Sequence, residues 1–221
     1  IFCGCRETKP KLDFICLECY ETFLKQIEEQ TICKICGHPL KENQICPSCP
    51  KLGNIYYDDY HFIQYYRDFF KSTAIMWKKN ENYLITKLFY NLLSDKKILN
   101  DKIPITVVPD NLFKRFKKGR SSLHYLLKLL EKSKYSIVNN IYYKRLFLLK
   151  NQKSKTENER FDDISKTFYL PEKNKNKYSG EIYLIDDIYT TGATLNHGAK
   201  LLKDAGFNKV HIVSFFRAVL E

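Results

Sequence analysis

The sequence of 221 residues contains no apolar run near the roughly 18 to 20 residues that a membrane-spanning helix needs. Residues 1–11 also lack the charged-then-apolar layout of a signal peptide. We therefore expect neither membrane insertion nor secretion, and we predict a cytoplasmic protein. Apolar residues make up 44% of the chain, which is too many for wholesale disorder and ordinary for a folded protein.

Acidic residues are few beside the basic ones, and cysteine is absent after Cys49. The chain holds 25 Asp and Glu against 37 Lys and Arg, which gives a net charge of +12. Residues 1–52 contain all eight cysteines and are neutral, whereas residues 53–221 carry the whole positive charge. Within the second part, residues 110–160 alone hold 14 basic and 4 acidic residues. So sharp a change in composition predicts two domains, a cysteine-rich module at 1–52 and a larger domain at 53–221.

The cysteines form four pairs with the spacing of metal-binding turns. The pairs are Cys3-x-Cys5, Cys16-x-x-Cys19, Cys33-x-x-Cys36 and Cys46-x-x-Cys49. A two-residue gap lets a tight turn direct both thiolates at one tetrahedral metal, at about 2.3 Å each, and zinc is the usual occupant. All eight cysteines are therefore candidate ligands of structural Zn²⁺, because a four-cysteine site leaves no position open for water. Sequential pairs can share a site, and interleaved sharing, in which the first pair joins the third, is an alternative; the number of zinc ions is open.

Two other uses of paired cysteines fit this chain less well. Disulfides need an oxidising compartment, and the sequence shows no signal peptide that would lead to one. Thioredoxin-type chemistry needs one reactive Cys-x-x-Cys after a strand rather than several in succession. We therefore expect a zinc-binding module at 1–52, in which the metal supplies much of the folding free energy.

Short apolar strands alternate with helices in the rest of the chain. Helices are predicted at 21–30, 68–76, 82–93, 121–130 and 193–205, and buried strands at 103–108, 181–185 and 210–216. The tyrosine-rich stretch 55–66 is predicted to form two strands with a turn at Asp58 and Asp59. Residues 150–180, rich in Lys and Asn, are expected to form a long loop or flap. This alternation predicts an α/β fold with a parallel sheet flanked by helices.

The residues that point most clearly to a function follow the strand at 181–185. Two adjacent carboxylates, Asp186 and Asp187, come first, and a loop then leads into a helix. The loop and the helix start are Thr190, Thr191, Gly192, Ala193 and Thr194. A loop at a helix N-terminus presents backbone N–H donors and the positive end of the helix dipole, which suit one phosphate. Two carboxylates can accept hydrogen bonds from the hydroxyls of a ribose, so the segment predicts a ribose 5-phosphate site. An Asp that merely caps the helix would explain only one of the two carboxylates.

This segment resembles the 13-residue signature of type I phosphoribosyltransferases, which bind phosphoribosyl pyrophosphate (PRPP). Together with the cysteine pairs, it makes the chain similar to the ComF family, bacterial proteins associated with natural transformation and DNA uptake. The resemblance covers nearly the whole chain and includes the stretches 56–70, Val108-Pro109, Lys117-Lys118-Gly119, Gln152, Arg160, Phe168 and Phe216-Arg217-Ala218. It implies a type I phosphoribosyltransferase-like domain at 53–221 and PRPP bound with Mg²⁺. It also implies single-stranded DNA and a DNA-uptake helicase or ATPase as partners.

A dense basic cluster comes soon after the strand at 103–108. Its members are Lys114, Arg115, Lys117, Lys118 and Arg120. Three interpretations stay open: a solvated surface, a clamp for pyrophosphate, or a track for the phosphates of single-stranded DNA. The family resemblance implies that Lys118, Gly119 and Arg120 contact pyrophosphate. The charge of 110–160 exceeds what one such clamp needs, so the last two roles are compatible.

Two functional hypotheses follow from these residues and the resemblance. The first is a PRPP-binding protein that handles single-stranded DNA during natural transformation. The alternative is an active salvage or biosynthetic phosphoribosyltransferase that transfers ribose 5-phosphate to a nucleobase or amine. In such an enzyme, Mg²⁺ would bridge pyrophosphate and ribose oxygens while the site stabilises a cationic ribosyl centre. No residue is an evident recogniser of a purine or pyrimidine, so no catalytic residue is predicted.

Overall fold

The computed structural model describes residues 10–12, 15–25, 31–42, 44–80, 83–109, 121–144 and 167–219. The helices in these ranges are α1 (Leu17–Leu24), α2 (Asp68–Asn80), α3 (Tyr83–Asp95), α4 (Ser122–Lys132) and α5 (Ala193–Asp204). The strands are β1 (Pro10–Leu12), β2 (Ile15–Cys16), β3 (Thr31–Ile32), β4 (Pro39–Leu40), β5 (Asp59–Tyr65), β6 (Ile105–Val107), β7 (Tyr143–Lys144), β8 (Phe168–Tyr169), β9 (Glu181–Tyr189) and β10 (Lys209–Arg217). Two short 3-10 turns span Cys49–Leu52 and Glu172–Asn174.

Four parallel strands form the central sheet, in the order β5-β10-β9-β6. The two middle strands, β10 and β9, are rich in apolar residues, as expected for strands that are buried on both faces. Their pairing places Arg217 beside Tyr189 where both strands end. Because the strands are parallel, their carboxyl ends meet along one edge, which is where open α/β sheets usually bind ligands.

Different parts of the chain cover the two faces of the sheet. Alternate residues of β9 face opposite sides, so Tyr183 joins one buried cluster and Leu184 joins the other. Helices α1 to α4 contribute to the first cluster, where the Trp77 ring lies 4.6 Å from that of Phe89 and 5.0 Å from that of Phe215. Helix α5 and the third and fourth cysteine pairs contribute to the second cluster. The predicted class, an α/β parallel sheet flanked by helices, is confirmed.

The stretch 55–66 differs from its prediction, because it forms the single strand β5 rather than two strands with a turn. Asp58, placed in that turn by the sequence, instead accepts a hydrogen bond from Val210 N at 2.7 Å. Its carboxylate also lies 2.7 Å from Lys203 Nζ. The adjacent residue, Asp59, begins β5, which runs parallel to β10. Asp is favoured in turns by local interactions, whereas here its partners come from the far end of the chain.

Two other elements begin or end at unexpected residues. Helix α1 begins at Leu17 rather than near residue 21, because the Cys16 sulfur caps it by accepting a hydrogen bond from Cys19 N at 3.4 Å. Residues 26–30 of that predicted helix lie outside the described residues. Strand β9 continues past its predicted end to Tyr189, since pairing with β10 continues that far. Both members of the acidic pair therefore belong to the strand itself.

The cysteine-rich part contacts the rest of the chain on both faces of the sheet. The Phe23 ring of α1 packs 4.9 Å from that of Phe70, and Cys33 and Cys36 belong to the buried cluster on the other face. The domain boundary predicted between residues 52 and 53 stays a prediction. Among the described residues, no helix combines the length and the apolar character needed to cross a bilayer.

Candidate functional site

The third and fourth cysteine pairs come together to form a four-sulfur cluster. Its ligand atoms all lie within 4.8 Å of one another. The Sγ atoms of Cys33 and Cys49 are 3.5 Å apart, and those of Cys36 and Cys46 are 3.4 Å apart. A tetrahedral site with metal–sulfur bonds of about 2.3 Å has edges of about 3.8 Å, so these four sulfurs could hold a zinc ion.

The turn between β3 and β4, residues 33–38, fixes one side of this four-sulfur cluster. Gly37 N donates to Cys33 O at 2.8 Å, and Cys33 N donates to His38 O at 2.9 Å. Gly37 has a φ of +65°, and a Cβ there would meet the Phe62 ring at 2.6 Å. Glycine is therefore required by both the backbone conformation and the close approach to β5. His38 Nδ1 lies 3.0 Å from Ser48 Oγ, and His38 is not a member of the four-sulfur cluster.

The thiols of the cluster differ in acidity. Burial raises the pKa of Cys36 to about 11. Burial also acts to raise the pKa of Cys46, but hydrogen bonds from the Cys49 and Ser48 backbone outweigh it and lower that pKa to about 7. Such backbone donors stabilise a thiolate, and thiolate is the form that binds metal. A bound cation would favour the thiolate at all four positions.

The remaining cysteines leave a second metal site as a prediction. The structure brings the third and fourth pairs together, as sequential sharing of a site predicts. Cys16 and Cys19 are not members of this four-sulfur cluster. Cys3 and Cys5 lie outside the described residues. A second metal site that contains Cys16 and Cys19 therefore stays a prediction.

The acidic pair lies near the carboxyl end of β9. The neighbouring strand β6 pairs with β9 only as far as Ile185, so Asp186 and Asp187 lie beyond that edge strand. Asp186 Oδ1 accepts a hydrogen bond from Asp187 N, and Asp187 Oδ1 accepts one from Ile188 N, both at 2.8 Å. Both residues are half-buried. The two carboxylates are thus oriented by their own backbone, at the edge where open α/β sheets usually bind ligands.

A lysine that the sequence did not single out also contacts the acidic pair. Lys78 Nζ, on helix α2, lies 2.6 Å from Asp187 Oδ2, and the two side chains are 60% and 20% exposed. Burial acts to lower the pKa of Lys78, but the negative charges of Asp187 and Asp186 outweigh it and raise that pKa. Lys78 therefore stays cationic. In the sequence it belongs to an ordinary Lys-Lys pair, and only the packing of α2 places it here.

Residues Thr190–Thr194 form the loop that joins β9 to α5. Gly192 has a φ of +81° and is the N-cap of α5, and its carbonyl accepts a hydrogen bond from Asn196 N at 2.8 Å. A Cβ on Gly192 would overlap the phenol of Tyr189, which lies against this turn. The first turn of a helix leaves N–H groups without partners inside the helix. The loop thus leads directly into a helix N-terminus, as the sequence predicted, and its role as an anion site stays a prediction.

Arg217 was noted in the sequence only as part of the terminal motif, with no role. It ends β10, is 2% exposed, and donates from Nη1 to Thr190 O at 2.8 Å. Its Nε donates to Cys36 O at 2.6 Å. Arg217 thus contacts both the loop and the four-sulfur cluster. No local pattern could indicate this, because Cys36 precedes Arg217 by 181 residues.

The other predicted binding residues follow β6. A cavity of about 120 Å³ lies at the carboxyl end of that strand, with Val108, Pro109 and Tyr142 among its lining residues. The predicted pyrophosphate and DNA residues are Lys114, Arg115, Lys117, Lys118, Gly119 and Arg120, and all of them lie outside the described residues. Their roles stay predictions.

Sequence comparison with known proteins shows that this chain is similar to competence proteins. No family model matches the chain. The chain is 27% identical over 213 residues to competence protein ComFC of Bacillus subtilis, covering 93% of this chain and 83% of that protein. It is 27% identical over 204 residues to competence protein F of Haemophilus influenzae, covering 88% of each. It is also 27% identical over 221 residues to competence protein ComFC of Streptococcus pneumoniae, covering 92% of this chain and 87% of that protein. The three similarities extend over most of the chain, so they support a relationship between this chain and the ComF family of competence proteins.

Proposed function

We propose that this chain binds PRPP at the carboxyl end of β9 and handles single-stranded DNA during DNA uptake. The observation that carries the first part is the oriented acidic pair, Asp186 and Asp187, followed directly by the loop Thr190–Thr194. The two carboxylates would accept hydrogen bonds from the ribose hydroxyls. The loop at the start of α5 would donate to the 5-phosphate.

The contacts of Asp187 leave it able to accept a ligand hydroxyl. An ionised carboxylate offers about four lone-pair positions on its two oxygens. Asp187 directs Oδ1 to Ile188 N and Oδ2 to Lys78 Nζ, and its side chain is 20% exposed. Because the backbone already fixes its direction, binding needs little ordering of this side chain. A sugar hydroxyl can therefore be recognised at a small entropic cost.

The loop supplies the opposite electrostatic character. Helix α5 has twelve residues, so its N-terminus carries a developed positive dipole end. The guanidinium of Arg217 donates a hydrogen bond to Thr190 O, at the first residue of the loop. Hydroxyl donors on one side of a ribose phosphate would meet carboxylates, and its phosphate would meet N–H groups and positive charge. This match supports a ribose 5-phosphate group over a simple sugar or a simple anion.

The pyrophosphate would lie on the Lys78 side of the acidic pair. Lys78 is 60% exposed and its ammonium contacts Asp187, so it can turn towards pyrophosphate oxygens when the ribose occupies the carboxylates. The family resemblance implies that Lys118, Gly119 and Arg120 also contact pyrophosphate, and that Mg²⁺ accompanies PRPP. Mg²⁺ favours phosphate and carboxylate oxygens, which this arrangement would offer together.

The proposed DNA role is supported by the family and by charge. The relatives are competence proteins, which fits a role in DNA uptake. Residues 110–160 hold ten more basic than acidic residues, and such a segment can follow the phosphates of a single strand. We place the DNA contacts at Lys114, Arg115, Lys117, Lys118 and Arg120. A helicase or ATPase of DNA uptake is the proposed protein partner.

Calorimetric titration with PRPP and Mg²⁺ tests the PRPP-binding half of this proposal. The wild type should bind, and Asp186→Asn/Asp187→Asn should bind at least about tenfold more weakly, because two charged acceptors are lost. Asp204→Asn, an exposed position at the end of α5, is the matched control and should bind like the wild type. Equal affinities for all three proteins would refute the site. Release of pyrophosphate on adding a nucleobase would instead establish the alternative, a catalytic phosphoribosyltransferase.

Salt-dependent binding of labelled single-stranded DNA tests the second half. Reversing charge at Lys117, Lys118 and Arg120 should weaken binding and reduce its salt dependence. The control reverses three exposed lysines on other elements, Lys71, Lys102 and Lys132, and changes the net charge equally. If both triple variants lost the same affinity, only the overall charge would matter, and the proposed track would be wrong.

A further inference from the structure

The turn that carries Cys33 and Cys36 is held to the rest of the chain through three consecutive carbonyl groups. Ile35 O accepts from the Tyr57 hydroxyl at 3.2 Å, and Gly37 O accepts from the Tyr65 hydroxyl at 3.1 Å. Between them, Cys36 O accepts from Arg217 Nε at 2.6 Å. All three donor side chains are buried. The backbone of this metal-binding turn is therefore positioned by side chains of residues 53–221.

Two of these donors, Arg217 and Tyr57, also contact residues at the start of the loop Thr190–Thr194, which we call the anion loop. Arg217 Nη1 donates to Thr190 O at 2.8 Å. The hydroxyls of Tyr57 and Tyr189 lie 3.1 Å apart. The guanidinium carbon of Arg217 lies 4.7 Å from the centre of the Tyr189 ring. Since that ring lies against Gly192, a displacement of Arg217 would disturb both the strand end and the turn of the loop.

The charge of Arg217 strengthens this connection. The groups that receive its N–H donors are the backbone carbonyls of Cys36, Tyr189, Thr190 and Ala218. Within the described ranges, no carboxylate lies within ion-pair distance of it. A buried cation is costly without a counter-charge. Four thiolates around Zn²⁺ have a formal charge of −2, so the loaded cluster would supply this counter-charge next to Arg217. Four neutral thiols would not.

We infer that Arg217 couples the four-sulfur metal site to the anion loop, so that bound metal and bound PRPP stabilise each other. This inference rests on the proposed function, because PRPP is the ligand of the loop. Arg217 acts as a positioning residue: metal fixes Cys36 O, Cys36 O fixes the guanidinium, and the guanidinium fixes Thr190 O. By linkage, a ligand that holds Thr190 must also hold the metal-binding turn.

The test measures the equilibrium affinity of the intact protein for Zn²⁺. Zinc-loaded full chain is titrated to equilibrium with a chromogenic chelator, with and without saturating PRPP and Mg²⁺. PRPP should raise the zinc affinity about fivefold or more, within the usual range of coupling between sites. Arg217→Lys keeps the charge but cannot reach Cys36 O and Thr190 O together, so PRPP should no longer raise the zinc affinity. Arg67→Lys is the matched control: Arg67 is exposed and lies over the Tyr65 ring, a contact that lysine can also make, and the N–H bonds to Cys36 O and Thr190 O described above come from Arg217, so this variant should retain the full effect.

The outcomes separate this inference from the proposed function. If calorimetry shows that PRPP binds the wild type but the zinc affinity is unchanged, the coupling is overturned and the PRPP site stands. If PRPP does not bind the zinc-loaded protein at all, the proposed function is overturned and the inference with it. If Arg217→Lys behaves like Arg67→Lys, the coupling does not pass through Arg217. If Arg217→Lys fails to fold, the wild-type comparison still decides whether the two sites are coupled, and Arg217→Gln, which is neutral and has only one donor group, takes its place in deciding whether Arg217 carries the coupling.

Discussion

Replacing Gly192 by alanine should damage the loop Thr190–Thr194 in two separable ways. Gly192 has a φ of +81°, a conformation that costs an L-residue about 1–2 kcal/mol. The added Cβ would also overlap the Tyr189 phenol, and overpacking of this kind costs about 1–3 kcal/mol more. The expected total, about 2–5 kcal/mol, is a large share of the about 5–15 kcal/mol by which folded proteins are usually stable.

Gly180 provides the control that separates the two effects. It has a φ of +80°, but a Cβ there would meet no atom within 4 Å. Gly180→Ala should therefore show only the backbone cost, of about 1–2 kcal/mol. The assay is urea unfolding of both variants, followed by PRPP titration, which only Gly192→Ala should impair. If Gly192→Ala lost no more stability than Gly180→Ala, the Tyr189 ring would not lie against the loop, and the described geometry would be wrong.

Three further changes test other parts of the structure. Cys46→Ser should lower the zinc content by one equivalent per chain in metal analysis, because the four-sulfur cluster loses a ligand; unchanged zinc would refute that site. Asp58→Asn should destabilise the protein at neutral pH. Burial acts to raise the pKa of Asp58, but the Lys203 ammonium and the Val210 N–H outweigh burial and lower that pKa below 3.8. A lowered folded-state pKa stabilises above pH 3.8, so in urea unfolding the difference should shrink as pH falls further, and a constant difference would contradict the ion pair. Thr86→Val should lower the free energy of unfolding by about 1–3 kcal/mol, because the buried Trp77 indole N–H loses its acceptor at 2.9 Å. Trp77 fluorescence reports the unfolding, and an unchanged stability would contradict that contact.

Patterns within one element were enough to predict the sheet class and the loop. Strands β9 and β10 and helix α5 are each defined by local apolar spacing, and Gly192 is followed directly by the helix that it caps. The same local spacing identified the cysteine pairs as candidate ligands. Local spacing could not show which pairs come together in one cluster, because that depends on the path of the chain between Cys36 and Cys46.

Contacts between distant parts of the chain explain what the sequence could not predict. The local sequence assigns Asp58 to a turn, since Asp favours turns. Its actual partners, Lys203 and Val210, lie about 150 residues later, where a local pattern cannot indicate them. Lys78 lies at the acidic pair only because helix α2 packs beside the end of β9. Arg217 is one basic residue among many until the fold places it between Cys36 O and Thr190 O. These are the residues that connect the elements, and single-element patterns carry no information about them.

The central claim is that Asp186 and Asp187 bind the hydroxyls of a ribose phosphate. Titration with ribose 5-phosphate and with 2-deoxyribose 5-phosphate tests it directly, because the two ligands differ by one hydroxyl. A hydrogen bond to a charged group is worth about 1.5–3 kcal/mol, so the deoxy ligand should bind about 10- to 150-fold more weakly to the wild type. In Asp186→Asn/Asp187→Asn this difference should largely disappear. Equal binding of both sugars to the wild type would contradict the claim.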